Sequence, residues 1–347
     1  MAFTNIDGHE KPITILKRAV ANRTLAHAYL FSGDAGIGKK MTALALAAAV
    51  NCQDPGSEGG CGVCASCRRA DAFTHPDIHL VMPESEDERL QATLSTKEVE
   101  KAKKASNEIK IDQIRQAQAS ITLRPSEGLK KVLIIDGAET LNDAAQNAFL
   151  KTLEEPPGEC LIIMVTAMPQ SLLPTIRSRC QEIRFLPLPR HVLAQALMGR
   201  RGLSEGDAWF LAALAQGSMG QGLTMDVEQE KAARSEVMAL WTGLGSMGLG
   251  EVLAKAEALY KDRDRFERLL DIGVEWLRDA LIYRETGDER LLVNAEARDH
   301  YQVWGEKFPV GRMLADLDLF FSSRNMLDRR VSAQLVAENL LLRLGKG

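Results

Sequence analysis

The sequence contains no apolar run of about 18 residues, the length that a membrane-spanning helix requires. Its first residues carry no apolar stretch followed by a small-residue cleavage site, so they predict no secretory signal. Basic and acidic residues nearly balance, at 43 and 47, which excludes a chain coated in positive potential. We therefore expect a soluble, cytoplasmic protein in which contact with nucleic acid comes from a local patch or from partner subunits.

The length of 347 residues allows two or three domains. In the first half, short apolar runs alternate with helical stretches, which predicts an α/β domain over residues 1–186 with a parallel sheet and helices on both faces. Strand-like runs nearly vanish after it, which predicts a small helical domain over 187–228 and an all-α domain over 229–347. Residues 84–107, acidic and then basic, predict a solvated loop or surface helix.

Individual elements can be assigned from the same patterns. An Ala-rich helix is predicted at Lys39–Val50, and a second helix at Asp143–Glu154 with Asn142 near its N-cap. The runs that predict strands are 28–31, 78–82, 132–135, 161–165 and 181–185.

Four of the six cysteines lie close together, at Cys52, Cys61, Cys64 and Cys67, here called the four-cysteine cluster. A disulfide scaffold would spread its bridges through a small secreted chain, so the clustering indicates a metal in a reducing compartment. Four thiolates complete a closed tetrahedral site, which predicts structural zinc. The alternatives are free thiols and an iron–sulfur cluster, whose typical following Cys-Pro is missing.

Residues 33–40 form a glycine-rich segment, here called the phosphate loop, that follows a predicted strand and fits G-x-x-x-x-G-K. Its glycines let the backbone wrap a phosphate, and Lys39 supplies a point charge. The next position should carry the Ser or Thr whose hydroxyl holds Mg²⁺, but it is Lys40, a cation that repels the ion. The residues predicted to contact a nucleotide here are Gly33, Gly36, Gly38 and Lys39.

Asp136 ends a predicted buried strand as the acidic residue of a Walker B motif does. ATPases of this class usually carry Glu directly after it to polarise the attacking water, whereas this chain has Gly137. The next carboxylate, Glu139, is shifted by two positions and is expected to point elsewhere. The magnesium ligand and the catalytic base are both missing, so the sequence predicts that the chain does not hydrolyse ATP.

In this order, the motifs resemble those of the AAA+ clamp-loader family of DNA replication. The resemblance covers about residues 5–190. It implies an AAA+ domain with a zinc insert at residues 52–67, then a helical lid and a collar that packs against other subunits. The segments that carry it are His27 to Gly33, the phosphate loop, the four-cysteine cluster, Leu153-Glu154-Glu155-Pro156-Pro157 and Ser178-Arg179-Cys180.

The family contains subunits that hydrolyse ATP and subunits that do not, and the missing residues indicate the second kind. Gly217-Ser218-Met219 resembles the lid motif before the sensor-2 arginine, but Gly220 stands at the arginine's position. Thr166 matches the sensor-1 position and remains polar. The resemblance thus implies a stator with a degenerate site, in which Lys39 permits nucleotide binding and Lys40 opposes its magnesium form.

The resemblance gives Arg179 a role, because the triplet's arginine in this family reaches into the ATP site of the neighbouring subunit. An arginine supplied in this way, called an arginine finger, can increase the rate of ATP hydrolysis by ~10³–10⁵. The implied partners are the gamma/tau and delta subunits, with the sliding clamp and primer–template DNA contacted through the complex. The chain would be a non-catalytic subunit of the DNA polymerase III holoenzyme. Two alternatives remain open: an active ATPase subunit that replaces the lost ligand with Thr42 or water, and a zinc module that binds DNA directly.

Overall fold

In the computed structural model, the chain forms two compact units. The first unit comprises Met1–Leu203 with Ala215–Leu223, and the second comprises Ser204–Leu214 with Thr224–Gly347. The division into three domains therefore stays a prediction. Most of the charged segment predicted at residues 84–107 lies outside the described residues. The structure describes residues 2–56, 58–86, 107–293, 298–329 and 331–345.

The first unit is built on a parallel sheet, which confirms the predicted fold class. Within the described residues its strands are β1 (Ala28–Ser32), β2 (Ile78–Val81), β3 (Lys131–Asp136), β4 (Cys160–Thr166) and β5 (Gln181–Arg184). Their order is β2-β3-β4-β1-β5, and every neighbouring pair is parallel. The central strands β1, β3 and β4 are buried almost throughout, as expected for strands covered on both faces.

Helices follow the strands in the first unit and make up most of the second unit. The helices of the described chain are α1 (Glu10–Ala21), α2 (Lys39–Val50), α3 (Ala65–Asp71), α4 (Ile111–Thr122), α5 (Asp143–Glu154), α6 (Pro174–Arg177), α7 (Arg190–Arg201), α8 (Glu205–Leu214), α9 (Met219–Thr224), α10 (Val227–Leu244), α11 (Leu249–Lys261), α12 (Arg263–Thr286), α13 (Arg298–Lys307), α14 (Val310–Asp328) and α15 (Ala333–Leu344). Each predicted strand is present, with ends that differ by no more than one residue, and Asn142 caps α5 by accepting from the Ala145 N–H.

Two hydrophobic clusters cover the two faces of the sheet, because successive strand residues point to opposite sides. On one face, Tyr29 and Phe31 of β1 pack with residues of α1 and α2. On the other face, Ala28 and Leu30 pack with residues of α4 and α5. The small side chains of α2 are buried from residue 42 to residue 50, which lets this helix lie close to the sheet.

Asp77, just before β2, is a fully buried carboxylate that closes the amino edge of the sheet. The Lys131 ammonium, at the start of β3, lies 2.8 Å from it. Burial alone would raise the pKa of Asp77, but Lys131 and three backbone N–H donors hold that pKa well below its ordinary value. The N–H donors belong to Ser126, Glu127 and Gly128.

The second unit is a helical bundle whose core is centred on α12. Phe266 and Trp276 of α12 are buried with Phe320 of α14. Gly273 allows the two helices to meet, since a Cβ at that position would lie 2.2 Å from the Phe320 ring. Asp279 is buried as well, and its carboxylate accepts from the backbone N–H of Val293 at 3.0 Å. Among the described residues, no helix combines the length and apolar content needed to cross a membrane.

We expect Asp77→Asn to destabilise the fold by about 3–5 kcal/mol, because it leaves the Lys131 ammonium buried without a counter-charge. Urea denaturation at neutral pH measures this loss. The ionised Asp77 stabilises the fold above its unfolded-state pKa of 3.8, and this stabilisation is lost as the pH falls toward its depressed folded-state pKa. The free energy of unfolding of the variant should therefore depend less on pH in the acid range.

Asp112→Asn is the matched control, because Asp112 is exposed and lies 3.8 Å from the exposed Arg115. Its effect should stay within about 0.5 kcal/mol. Equal losses in the two variants would contradict a special role for the buried carboxylate.

Candidate functional site

The phosphate loop leaves β1 at the carboxyl edge of the sheet and enters α2. Gly33 and Gly36 have φ values of 141° and 74°, which favour glycine. A Cβ at Gly33 would lie 2.4 Å from the Phe185 carbonyl oxygen, and one at Gly36 would lie 2.2 Å from the Ser218 hydroxyl. The glycines are therefore required by both backbone conformation and close packing.

Lys39 folds back over the loop that precedes it. Its ammonium donates to the carbonyl oxygens of Gly33 at 2.6 Å and Asp34 at 2.5 Å. The residue is only 5% exposed. Burial lowers the pKa of Lys39, and the nearby carboxylates of Glu139 and Asp136 oppose that shift. The ammonium thus holds the loop in its curled form, at the position where the motif would meet a phosphate.

Lys40 and Asp136 form an ion pair at the place where the motif would hold magnesium. The Lys40 Nζ lies 3.1 Å from the Asp136 Oδ2, at the end of β3. A divalent ion about 4 Å from the ammonium would be repelled by roughly 8 kcal/mol at an effective dielectric constant of about 20. The hydroxyl ligand is missing and a fixed cation lies beside the acidic one, so these residues do not fit Mg²⁺.

A cavity of about 570 Å³ brings most of the predicted nucleotide residues together. Its volume lies within the range of ligand pockets. Gly33 is outside its wall but accepts from the Lys39 ammonium, which is part of it. The predicted residues that line the cavity are Gly36, Gly38, Lys39, Asp136 and Thr166. Its apolar residues include Ile6, Leu188, Met219 and Leu223.

The expectation that Glu139 points elsewhere is wrong, because this side chain lines the same cavity. Gly137 takes a positive φ of 73°, and a single 3-10 turn then returns the chain toward the loop. Glu139 Oε1 accepts from the Ala167 N–H at 3.2 Å, beside Thr166. Glu139 Oε2 is buried and has no hydrogen-bond partner among the described residues. Gly137 was the signal in the sequence. Its positive φ ends the extended strand, whereas the expectation assumed that the strand continued to Glu139.

Residues 217–220, which the resemblance places at the sensor-2 position, contact the phosphate loop. The Gly220 N–H donates to the Gly36 carbonyl at 2.8 Å, and the Ser218 hydroxyl donates to the Ala35 carbonyl at 3.1 Å. A Cβ at Gly220 would lie 3.3 Å from the Gly36 Cα. Close backbone packing thus occupies position 220, at which the resemblance implies an arginine in subunits that hydrolyse ATP.

Arg179 lies between α6 and β5 and does not line the cavity described above. Its guanidinium donates to the Thr175 carbonyl at 2.9 Å and to Glu154 Oε1 at 2.6 Å. The side chain is 34% exposed. The sequence did not indicate Glu154 as its partner, although this residue belongs to the segment Leu153-Glu154-Glu155-Pro156-Pro157 that carries the resemblance. The pair holds the arginine at the surface, away from the chain's own phosphate loop.

The four cysteine sulfurs form one cluster and fit a zinc ion. All four lie within 4.8 Å of one another, and the Sγ atoms of Cys52 and Cys64 are 4.0 Å apart. Four sulfurs at ~2.3 Å from a tetrahedral zinc would be about 3.8 Å apart, close to this spacing. The N–H groups of Cys61, Cys64 and Cys67 each donate to a cluster sulfur.

The thiols of the cluster do not ionise alike. Burial alone would raise the pKa of Cys64, but the N–H donors of Cys67 and Gln53 bring it down to about 6. Burial raises the pKa of Cys67 to about 12. A bound cation would favour the thiolate at every position, so metal binding here would release protons and stabilise the fold.

We expect one zinc ion per chain, held by the four-cysteine cluster, and we expect its removal to destabilise the first unit. A loss of about 3 kcal/mol would lower Tm by roughly 6–12 °C. Metal analysis and thermal denaturation of Cys64→Ser measure both effects. Cys180→Ser is the control, because this cysteine lies outside the cluster. An unchanged Tm after verified zinc removal would contradict a structural role.

Comparisons with known proteins agree with this architecture. A family model described as "DNA polymerase III, delta subunit" matches residues 8–189. The delta' subunit of Pseudomonas aeruginosa DNA polymerase III is 30% identical, over 91% of this chain and 91% of that protein. The Bacillus subtilis tau subunit is 27% identical over 92% of this chain and 57% of that protein. The Bacillus subtilis delta' subunit is 28% identical over 96% of this chain and 95% of that protein. The chain therefore belongs to the DNA polymerase III delta subunit family of AAA+ clamp-loader proteins.

Proposed function

We propose that this chain is the non-hydrolysing, delta-prime type of subunit in the DNA polymerase III clamp loader and supplies Arg179 to the ATP site of a neighbouring subunit. The Lys40–Asp136 ion pair is the observation that carries the proposal. It removes the means of holding Mg²⁺ from the chain's own site. Since phosphoryl transfer depends on that ion to neutralise developing charge, the chain itself does not turn over ATP.

Arg179 has the surroundings that a donated arginine needs. Glu154 and the Thr175 carbonyl orient the guanidinium, while about a third of the side chain remains exposed. A guanidinium carries five N–H donors, so the two hydrogen bonds leave donors for a phosphate of another chain. A γ-phosphate carries more negative charge than Glu154 and can compete for the same donors. Glu154 would then position the arginine before the neighbouring site closes around it.

The proposed assembly follows from this division of tasks. Residues 229–347 act as a collar that joins the gamma/tau and delta subunits, and residues 187–228 act as a lid. Arg179 completes the adjacent gamma/tau site, in which ATP binding favours the loader conformation that opens the sliding clamp on primer–template DNA. Zinc in the four-cysteine cluster serves the stability of the donor subunit. The chain carries out no polymerase chemistry.

Arg179→Ala should reduce ATP turnover at the completed site by ~10³–10⁵, because the arginine stabilises charge on the transferring phosphoryl group. The measurement is single-turnover ATP hydrolysis and clamp loading by the reconstituted loader. Total ATP hydrolysis by the loader would fall only by the fraction that this one site contributes.

Arg177→Ala is the matched control, because Arg177 is exposed and lies two positions away. It should leave both activities nearly unchanged. Full activity of Arg179→Ala in an assembled complex would contradict the proposal.

An active ATPase is the second candidate, and the position of Glu139 in the cavity favours it. We expect no magnesium-dependent turnover by the purified chain above the background of Lys39→Ala, since the magnesium ligand is missing. Turnover that Glu139→Gln abolishes would instead identify Glu139 as the base and support this second candidate.

A further inference from the structure

A chain of buried hydrogen bonds joins the four-cysteine cluster to the amino edge of the sheet. It begins at the Ser66 hydroxyl, which donates to the Asn51 carbonyl at 2.6 Å. This carbonyl belongs to the peptide bond that leads into Cys52, and Ser66 itself directly precedes Cys67 in α3. Cys52 and Cys67 are the two buried members of the cluster. One hydrogen bond therefore fixes the backbone beside both of them.

His75 holds the Ser66 hydroxyl in this arrangement. Its Nε2 lies 2.9 Å from the Ser66 oxygen, and its Nδ1 accepts from the Asp77 N–H at 3.1 Å. Since Nδ1 accepts, the ring proton is on Nε2, which donates to the hydroxyl oxygen and leaves the hydroxyl proton for Asn51. Burial lowers the pKa of His75, which favours the neutral ring that this arrangement requires. Ser66 and His75 are both buried, so the loss of either leaves a polar group unsatisfied.

The Asn51 side chain attaches the same peptide to the segment before β3. Its Oδ1 accepts from the N–H groups of Leu129 and Lys130 at 2.9 and 3.0 Å. Its Nδ2 donates to the Lys130 carbonyl at 3.1 Å. The backbone beside Cys52 is thus fixed to the sheet independently of the cluster sulfurs.

We propose that Ser66 and His75 are positioning residues of the four-cysteine cluster, which hold Cys52 and Cys67 at the separation that a zinc ion requires and so set the zinc affinity. This inference rests on the zinc proposed for the cluster and is independent of the role proposed for Arg179.

The physical basis of the proposal is pre-organisation. Zinc binding must order every ligand segment that is free to move, and a segment already fixed by the fold removes part of this entropic cost. Cys61 and Cys64 are partly exposed, whereas Cys52 and Cys67 are buried against the fold. The buried pair is therefore the part of the cluster on which the Ser66 hydrogen bond acts. Contacts that orient metal ligands typically contribute about 10–100-fold in metal affinity.

The proposal predicts that Ser66→Ala binds zinc about tenfold more weakly or worse. The zinc affinity of the purified chain is measured by equilibrium competition with a chromophoric zinc chelator, after metal analysis of the unmodified chain. Ser120→Ala is the matched control, because the Ser120 hydroxyl donates to the Gln116 carbonyl within α4, outside the cluster. It should keep the affinity of the unmodified chain. An unchanged affinity in Ser66→Ala would overturn the proposal.

Variants of His75 test the hydrogen bond itself. His75→Gln keeps an N–H donor for the Ser66 hydroxyl, and His75→Leu removes it. We expect the glutamine variant to bind zinc about tenfold more tightly than the leucine variant. Equal zinc affinities in the two variants would contradict the role of His75.

A further control separates positioning from general stability. Ile121→Val removes a buried methyl group from the face of the sheet opposite to α2, so it should lower Tm without changing the zinc affinity. If it weakens zinc binding as much as Ser66→Ala does, the effect is one of general stability and the proposal fails.

The metal analysis separates the proposal from the zinc assignment on which it rests. A purified chain without zinc would refute both, whereas a zinc-loaded chain whose affinity does not depend on Ser66 would refute the positioning role alone. Hydrolysis in the assembled loader remains the separate measure of Arg179.

Discussion

The parallel pairing of β1, β3 and β4 is the constraint on which the rest of the first unit depends. Ser32 pairs with Thr166, and Asp136 pairs with Val165, so these three strands end at one edge of the sheet. Parallel strands must align in this way to satisfy their backbone hydrogen bonds. The phosphate loop after β1 therefore meets the acidic end of β3 and the polar end of β4. Ligands of open α/β sheets bind at this carboxyl edge for the same reason.

Buried polar contacts at the opposite edge of the sheet stabilise the fold. Asp77 joins the segments before β2 and β3, and Asn51, at the end of α2, accepts from the Leu129 and Lys130 N–H groups. Ser66 of α3 donates to the Asn51 carbonyl, which links the four-cysteine cluster region to this edge. Because α2 runs from the phosphate loop to this edge, one helix connects the candidate ligand site to the candidate zinc site.

Membership of the clamp-loader family does not by itself separate its two kinds of subunit, since this chain is similar to both delta' and tau proteins. The proposed distinction depends on a few residues at the carboxyl edge. Lys40 pairs with Asp136, and Gly220 packs against Gly36 by backbone contact. Both contacts lie inside the chain, at positions where, under the proposed function, a hydrolysing subunit would contact its nucleotide or metal.

The sequence alone determined the secondary-structure elements, because strand and helix periodicities are local. It also determined the motifs, because the residues of the phosphate loop lie close together in the chain, as do those of the four-cysteine cluster. It could not determine which distant side chains meet. Lys40 reaches Asp136, Glu139 returns to the cavity after Gly137, and Arg179 pairs with Glu154. These contacts join elements that are far apart in the chain or depend on a turn outside regular structure. Only the packing of helices on the sheet decides them, since it sets the distances between charges.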